Sequence, residues 1–143
     1  MDDLLARFQV DASLDAAPTA APRSRRRVAR PVSEKTVKDK VVARLNEVGY
    51  AIPKHMTSMG VRGTPDVLAC VSSRMVVVET KTGTNEPTPV QRAELTKWQN
   101  AGALAGWVCS LTHLEQLLSH LDDPSWRNDF DHPGDGRGAS EPW

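Results

Sequence analysis

Residues 63–81 read Gly-Thr-Pro-Asp-Val-Leu-Ala-Cys-Val-Ser-Ser-Arg-Met-Val-Val-Val-Glu-Thr-Lys, and this stretch constrains the fold more tightly than any other in the chain. Two apolar runs, each of strand length, flank a short Ser72-Ser73-Arg74 connection, a spacing that predicts a β-hairpin. Side chains two apart on a strand share a face, so Glu79 and Lys81 project together while Thr80 points the other way. Asp66 opens the first strand, and hairpin pairing can bring its carboxylate beside Glu79. Two carboxylates and an ammonium then converge at one strand end.

Desolvating an unpaired charge costs on the order of several kcal/mol, so such a trio at the margin of an apolar sheet is either mutually paired or loaded with a metal. Carboxylate oxygens suit a hard divalent cation such as Mg2+, with Mn2+ as a substitute. A bound water is then a potential nucleophile, and Lys81 can orient it or stabilise developing negative charge, chemistry that fits hydrolysis of a phosphodiester. The alternative is a solvated Glu79–Lys81 pair at a strand exit, a common arrangement without catalysis.

The length, 143 residues, suffices for a single core. The 18 basic and 18 acidic residues cancel, but they are unevenly placed. Arg23, Arg25, Arg26, Arg27, Arg30, Lys35, Lys38, Lys40 and Arg44 crowd the first third, and acidic residues dominate the end, so the neutral total does not exclude a polyanionic partner. Cys70 and Cys109 each fall in an apolar run and read as small core residues. No apolar leader or membrane-length run is present, which predicts a cytoplasmic protein with no membrane partner.

Residues 1–31 combine a short Leu4, Leu5, Phe8 pattern with an Ala-, Pro- and Arg-rich stretch, a composition that predicts a disordered or weakly structured basic arm. Its Arg25, Arg26 and Arg27 are candidate phosphate contacts, as are Lys54, His55 and, in a glycine-punctuated loop, Arg62. Residues 33–48 predict a helix with Ser33 as N-cap and a stripe of Val37, Val41, Val42, Leu45 and Val48; Glu34 lies in its first turn, where the helix dipole alone explains a carboxylate. Thr88, Pro89 and Gln91 predict a second helix opened by a capping box, which gives Gln91 a structural reason to exist. A buried strand over 103–110 follows, then a last helix from Thr112, with Glu115 completing a capping box, carrying Leu114, Leu117, Leu118 and Leu121. Residues 123–143 predict a disordered acidic tail whose Trp126, Phe130 and Trp143 offer a binding segment for a protein partner.

In this order, helix with Glu34, Gly63-Thr64-Pro65-Asp66 turn, Glu79-Thr80-Lys81 closing an apolar strand, and Gln91 opening the next helix, residues 33–121 resemble the PD-(D/E)xK nuclease superfamily. Within it the chain is similar to compact, standalone VRR-NUC-type domains of viruses and bacteria. The resemblance implies an α/β, restriction-endonuclease-like fold, an αβββαβ core with a mixed central sheet flanked by helices, over residues 32–122. It also implies a metal held by Asp66, Glu79, the Thr80 carbonyl and Glu34, a water positioned by Lys81, and Gln91 supporting the site or contacting the scissile phosphate. The expected activity is Mg2+-dependent hydrolysis of DNA, structure-selective and resolvase-like toward branched DNA, by a homodimer, since four-way-junction resolution needs two coordinated nicks. The alternatives are an inert nucleic-acid-binding module and a small interaction protein.

Overall fold

Ser33 has the extended backbone of an N-cap, and its hydroxyl accepts the Thr36 N–H at 3.2 Å, which starts helix α1 (Glu34–Val48) where the sequence places it. In this computed structural model, which describes residues 30–53 and 61–136, three strands follow: β1 (Tyr50–Pro53), β2 (Val67–Val71) and β3 (Arg74–Thr80). Ser72 and Ser73 both take positive φ, so the β2–β3 connection is the two-residue, left-handed type whose twist matches the strands it joins. Helix α2 (Pro89–Asn100) then carries the chain to β4 (Leu104–Val108), and α3 (Leu111–Leu118) closes the series.

The sheet runs β1-β2-β3-β4, antiparallel through β3 and parallel between β3 and β4, an α/β arrangement of the restriction-endonuclease-like kind. Parallel pairing requires a long crossover, which α2 supplies. Val76 and Val78 pack with Val37, Val41 and Leu45 of α1 and Leu114 and Leu117 of α3; Val77, on the opposite face, packs with Leu95 of α2, Ala105 and Trp107. β3 is thus covered on both sides, the reason it reads as an unbroken apolar run.

Two local expectations change. Helix α3 is capped by Ser110, whose hydroxyl accepts the His113 N–H, and Glu115 pairs with Arg44 at 2.5 Å in place of a capping box with Thr112. Cys109 is half-buried and Cys70 exposed, since α2 packs on Val77 and Leu68 of the same sheet face but leaves open the end where Cys70 sits beside Tyr50 and Met75, its register partners on β1 and β3. Leu114 and Leu117 are fully buried in the core.

Residues 123–136, expected to be disordered, pack along the open edge of β4. Gly134 N–H donates to Trp107 O at 2.8 Å, and the Asn128 amide donates to Ala105 O at 3.3 Å. Gln99 and Asn128 exchange two hydrogen bonds, at 3.1 and 2.8 Å, while the Trp107 indole donates to Phe130 O. The Gly, Pro, Asn and Asp content that reads as disorder supplies tight turns instead: Asp123, Asn128 and Asp129 side chains each accept a backbone N–H two residues on. Phe130 is buried and Trp126 stacks on His120 with ring centroids 4.2 Å apart, so both aromatics face inward; Trp143 lies outside the described residues.

Candidate active site

Val67 pairs with Val78 in the antiparallel register, which sets Asp66 opposite Glu79 at the open end of the hairpin. Gly63 shapes the approach. Its φ is +78°, and a Cβ there would lie 2.8 Å from the Val90 carbonyl oxygen, so the loop meets the start of α2 at a distance glycine permits. Asp66 Oδ2 accepts the Thr80 backbone N–H at 3.0 Å and the Thr80 hydroxyl at 2.8 Å, which fixes the carboxylate against the strand and leaves Oδ1 turned outward.

Glu79 and Lys81 project together, as strand periodicity requires, with Lys81 Nζ 3.0 Å from Glu79 Oε1. The Gln91 amide donates to the same oxygen at 2.5 Å while its carbonyl accepts the Thr88 N–H at 2.9 Å. Capping box and site support are therefore two ends of one amide. Glu34, on the first turn of α1, lies 4.0 Å from Lys81 Nζ. One oxygen each from Glu34, Asp66 and Glu79 lies within 4.8 Å of the other two.

Glu79 is 2% exposed. Burial, then the Asp66 charge, push its pKa up to about 7 against the opposing pull of Lys81. A buried carboxyl held near neutrality beside two further carboxylates favours a bound cation, and an all-oxygen donor set of this kind suits Mg2+ or Mn2+. Glu34, Asp66 and Glu79 are the side chains that fit such an ion.

The structure also brings in Lys38, whose Nζ is 3.4 Å from Asp66 Oδ1. Lys38 lies off the apolar stripe of α1, and it is four residues from Glu34 and so shares its helix face. That spacing was the available signal. Arg62 is exposed in the turn before Thr64 and takes no part in the ion pairs of the cluster. Lys54, His55, Arg25, Arg26 and Arg27 lie outside the described residues.

Residues 34–103, which contain every side chain of the cluster, match the family model described as archaeal Holliday junction resolvase. Among solved structures the chain is similar to a VRR_NUC domain at 23% identity, covering 61% of this chain and 95% of that one with a TM-score of 0.51. Curated proteins give no significant match. No helix among the described residues is long and apolar enough to cross a membrane. The likeness to the solved VRR_NUC domain shows a shared fold, and the family-model match places the similarity to archaeal Holliday junction resolvases over the same residues that carry the carboxylate cluster.

Proposed function

We propose that the chain is a divalent-metal-dependent DNA endonuclease, with Mg2+ as the working ion and Mn2+ able to replace it, selective for branched DNA. The observation that carries this reading is the convergence of Glu34, Asp66 and Glu79 oxygens within 4.8 Å, with the Lys81 ammonium 3.0 Å from Glu79. A divalent ion, when bound there, lowers the pKa of water and offsets phosphate charge. Glu34, Asp66 and Glu79 would hold the ion, with the Thr80 carbonyl as a further donor. Thr80 also orients Asp66 through its N–H and hydroxyl. Lys81, 11% exposed and anchored by Glu79, holds the attacking water in line and donates toward the charge that develops on the phosphoryl oxygens. Gln91 keeps the Glu79 carboxylate aimed at the site. Arg62 and the basic Arg25, Arg26, Arg27, Lys54 and His55 contribute phosphate contacts that add affinity without sequence selectivity.

Resolution of a four-way junction needs two coordinated nicks, hence a two-fold dimer with paired sites. Leu114 and Leu117 of α3 lie in the core with Leu118 and Leu121 packed against it, so that helix does not offer the apolar surface for such an interface. Among the described residues, exposed apolar side chains cluster at Tyr50, Ile52 and Met75 around Cys70, on the part of that sheet face that α2 leaves open. The substrate claim is tested with labelled duplex, flap, single-stranded and four-way-junction DNA in Mg2+, Mn2+ and EDTA. Faster cutting of the junction, by paired nicks and only with metal, supports it; equal rates on plain duplex refute the selectivity.

A further inference from the structure

Asp66 presents two oxygens with different surroundings. Oδ2 accepts two hydrogen bonds from Thr80, at 3.0 and 2.8 Å. Oδ1 faces Lys38 at 3.4 Å, longer than a tight charge-assisted hydrogen bond. The Lys38 side chain is 27% exposed, on a flexible stem that reaches over the site from α1. The oxygen most available to a metal is thus covered by a loosely held ammonium that can move toward solvent.

Charge accounting gives that arrangement a role. With all groups ionised, Glu34, Asp66 and Glu79 contribute three negative charges, and Lys38 and Lys81 two positive ones. The cluster is net −1, and a divalent cation makes it +1, the sign that draws in a phosphodiester. Without Lys38 the loaded cluster would be neutral.

We propose that Lys38 is an exchangeable counter-cation: it sits on Asp66 Oδ1 until a divalent ion takes that oxygen, and then contacts a backbone phosphate of bound DNA. The metal and the lysine compete for one atom, and DNA contact by Lys38 is coupled to metal binding. This rests on the metal-dependent reading of the same cluster.

The test uses Lys38→Met, which keeps the stem and removes the charge, and Lys38→Arg, which keeps the charge. Calorimetric titration of the DNA-free protein with Mn2+ is expected to give about tenfold tighter binding in Lys38→Met than in wild type, because a cation beside the ion is gone. DNA affinity by fluorescence anisotropy is expected to be equal for the two proteins in EDTA. In Ca2+ it should be about tenfold weaker for Lys38→Met, with a salt dependence shallower by about one ion, and largely restored in Lys38→Arg. A Lys38→Met protein that binds Mn2+ like wild type overturns the proposal, as does one that loses the same DNA affinity in EDTA as in Ca2+. Wild-type protein that binds no Mn2+ overturns the metal-dependent reading beneath it as well.

Discussion

Replacing Glu79 with Gln removes the charge whose burial is the least favourable feature of the metal-free site. The Glu79 pKa stands at about 7 against an ordinary 4.5, with burial the first cause and Asp66 the second. A carboxyl with a raised pKa binds its proton more tightly in the folded state. Its contribution to stability is therefore full below about pH 4.5, falls across the interval between the two values, and is lost above about pH 7. The gap of about 2.5 units corresponds to roughly 3 kcal/mol, or on the order of 10 °C in melting temperature for a domain of this size. In EDTA, Glu79→Gln should thus be more stable than wild type at pH 8 and lose that advantage toward pH 5. Gln91 can still donate to the new amide oxygen, while Lys81 exchanges its charged partner at 3.0 Å for a neutral amide and keeps Glu34 at 4.0 Å. Adding Mg2+ should raise the wild-type melting temperature at pH 8 and leave Glu79→Gln nearly unmoved, since ten times the dissociation constant of a bound ion is worth about 1.4 kcal/mol. The assay is thermal unfolding of both proteins from pH 5 to 8.5, with EDTA and with Mg2+; titrating groups remote from Glu79 cancel in the difference, and Asp66, Lys81 and Glu34, which are coupled to it, are part of the effect. A difference that does not change with pH would refute the assignment of Glu79 as a buried, electrostatically frustrated ligand.

Lys81→Ala should lower the single-turnover cleavage rate at least about a hundredfold while leaving DNA affinity in Ca2+ within about threefold, because it removes a group that acts on the reacting phosphate. Gln91→Ala cuts the cap and the Glu79 contact together, so both melting temperature and rate per folded molecule should fall; a loss of stability alone would reduce Gln91 to a helix cap. Gly63→Ala places a Cβ 2.8 Å from Val90 O at a φ of +78° and should cost about 1–3 kcal/mol by chemical denaturation. Asn128→Ala removes the hydrogen bonds to Ala105 O and Gly134 O and the acceptor for Phe130 N–H, and should destabilise by about 2–3 kcal/mol; a neutral effect in chemical denaturation would show that the 123–136 segment does not hold the β4 edge.

Local signals were legible where one physical cause dominated. Ser33 and Thr88 cap the helices they were expected to cap, and the period-two rule set Glu79 and Lys81 side by side. Glu34 and Gln91 were legible only in half, because capping and dipole effects already explain both residues; their second roles depend on where α1 and α2 dock, which one chain's periodicity does not encode. Lys38 was hidden for the same reason. The 123–136 segment was misread because glycine, asparagine and aspartate signal both disorder and tight turns. What separates these is the unpaired edge of β4, a tertiary feature to which Asn128 and Gly134 bond.

The central claim is that Glu34, Asp66 and Glu79 hold one divalent ion that serves DNA cleavage. Its most direct test is single-turnover cutting of a labelled four-way junction by wild type and Asp66→Asn, each verified as folded and DNA-binding, with Mg2+ and with EDTA. The account predicts cutting by wild type in Mg2+ alone, and loss of at least about a thousandfold in Asp66→Asn. Cleavage that persists in EDTA, or an Asp66→Asn protein that cuts at the wild-type rate, would contradict it.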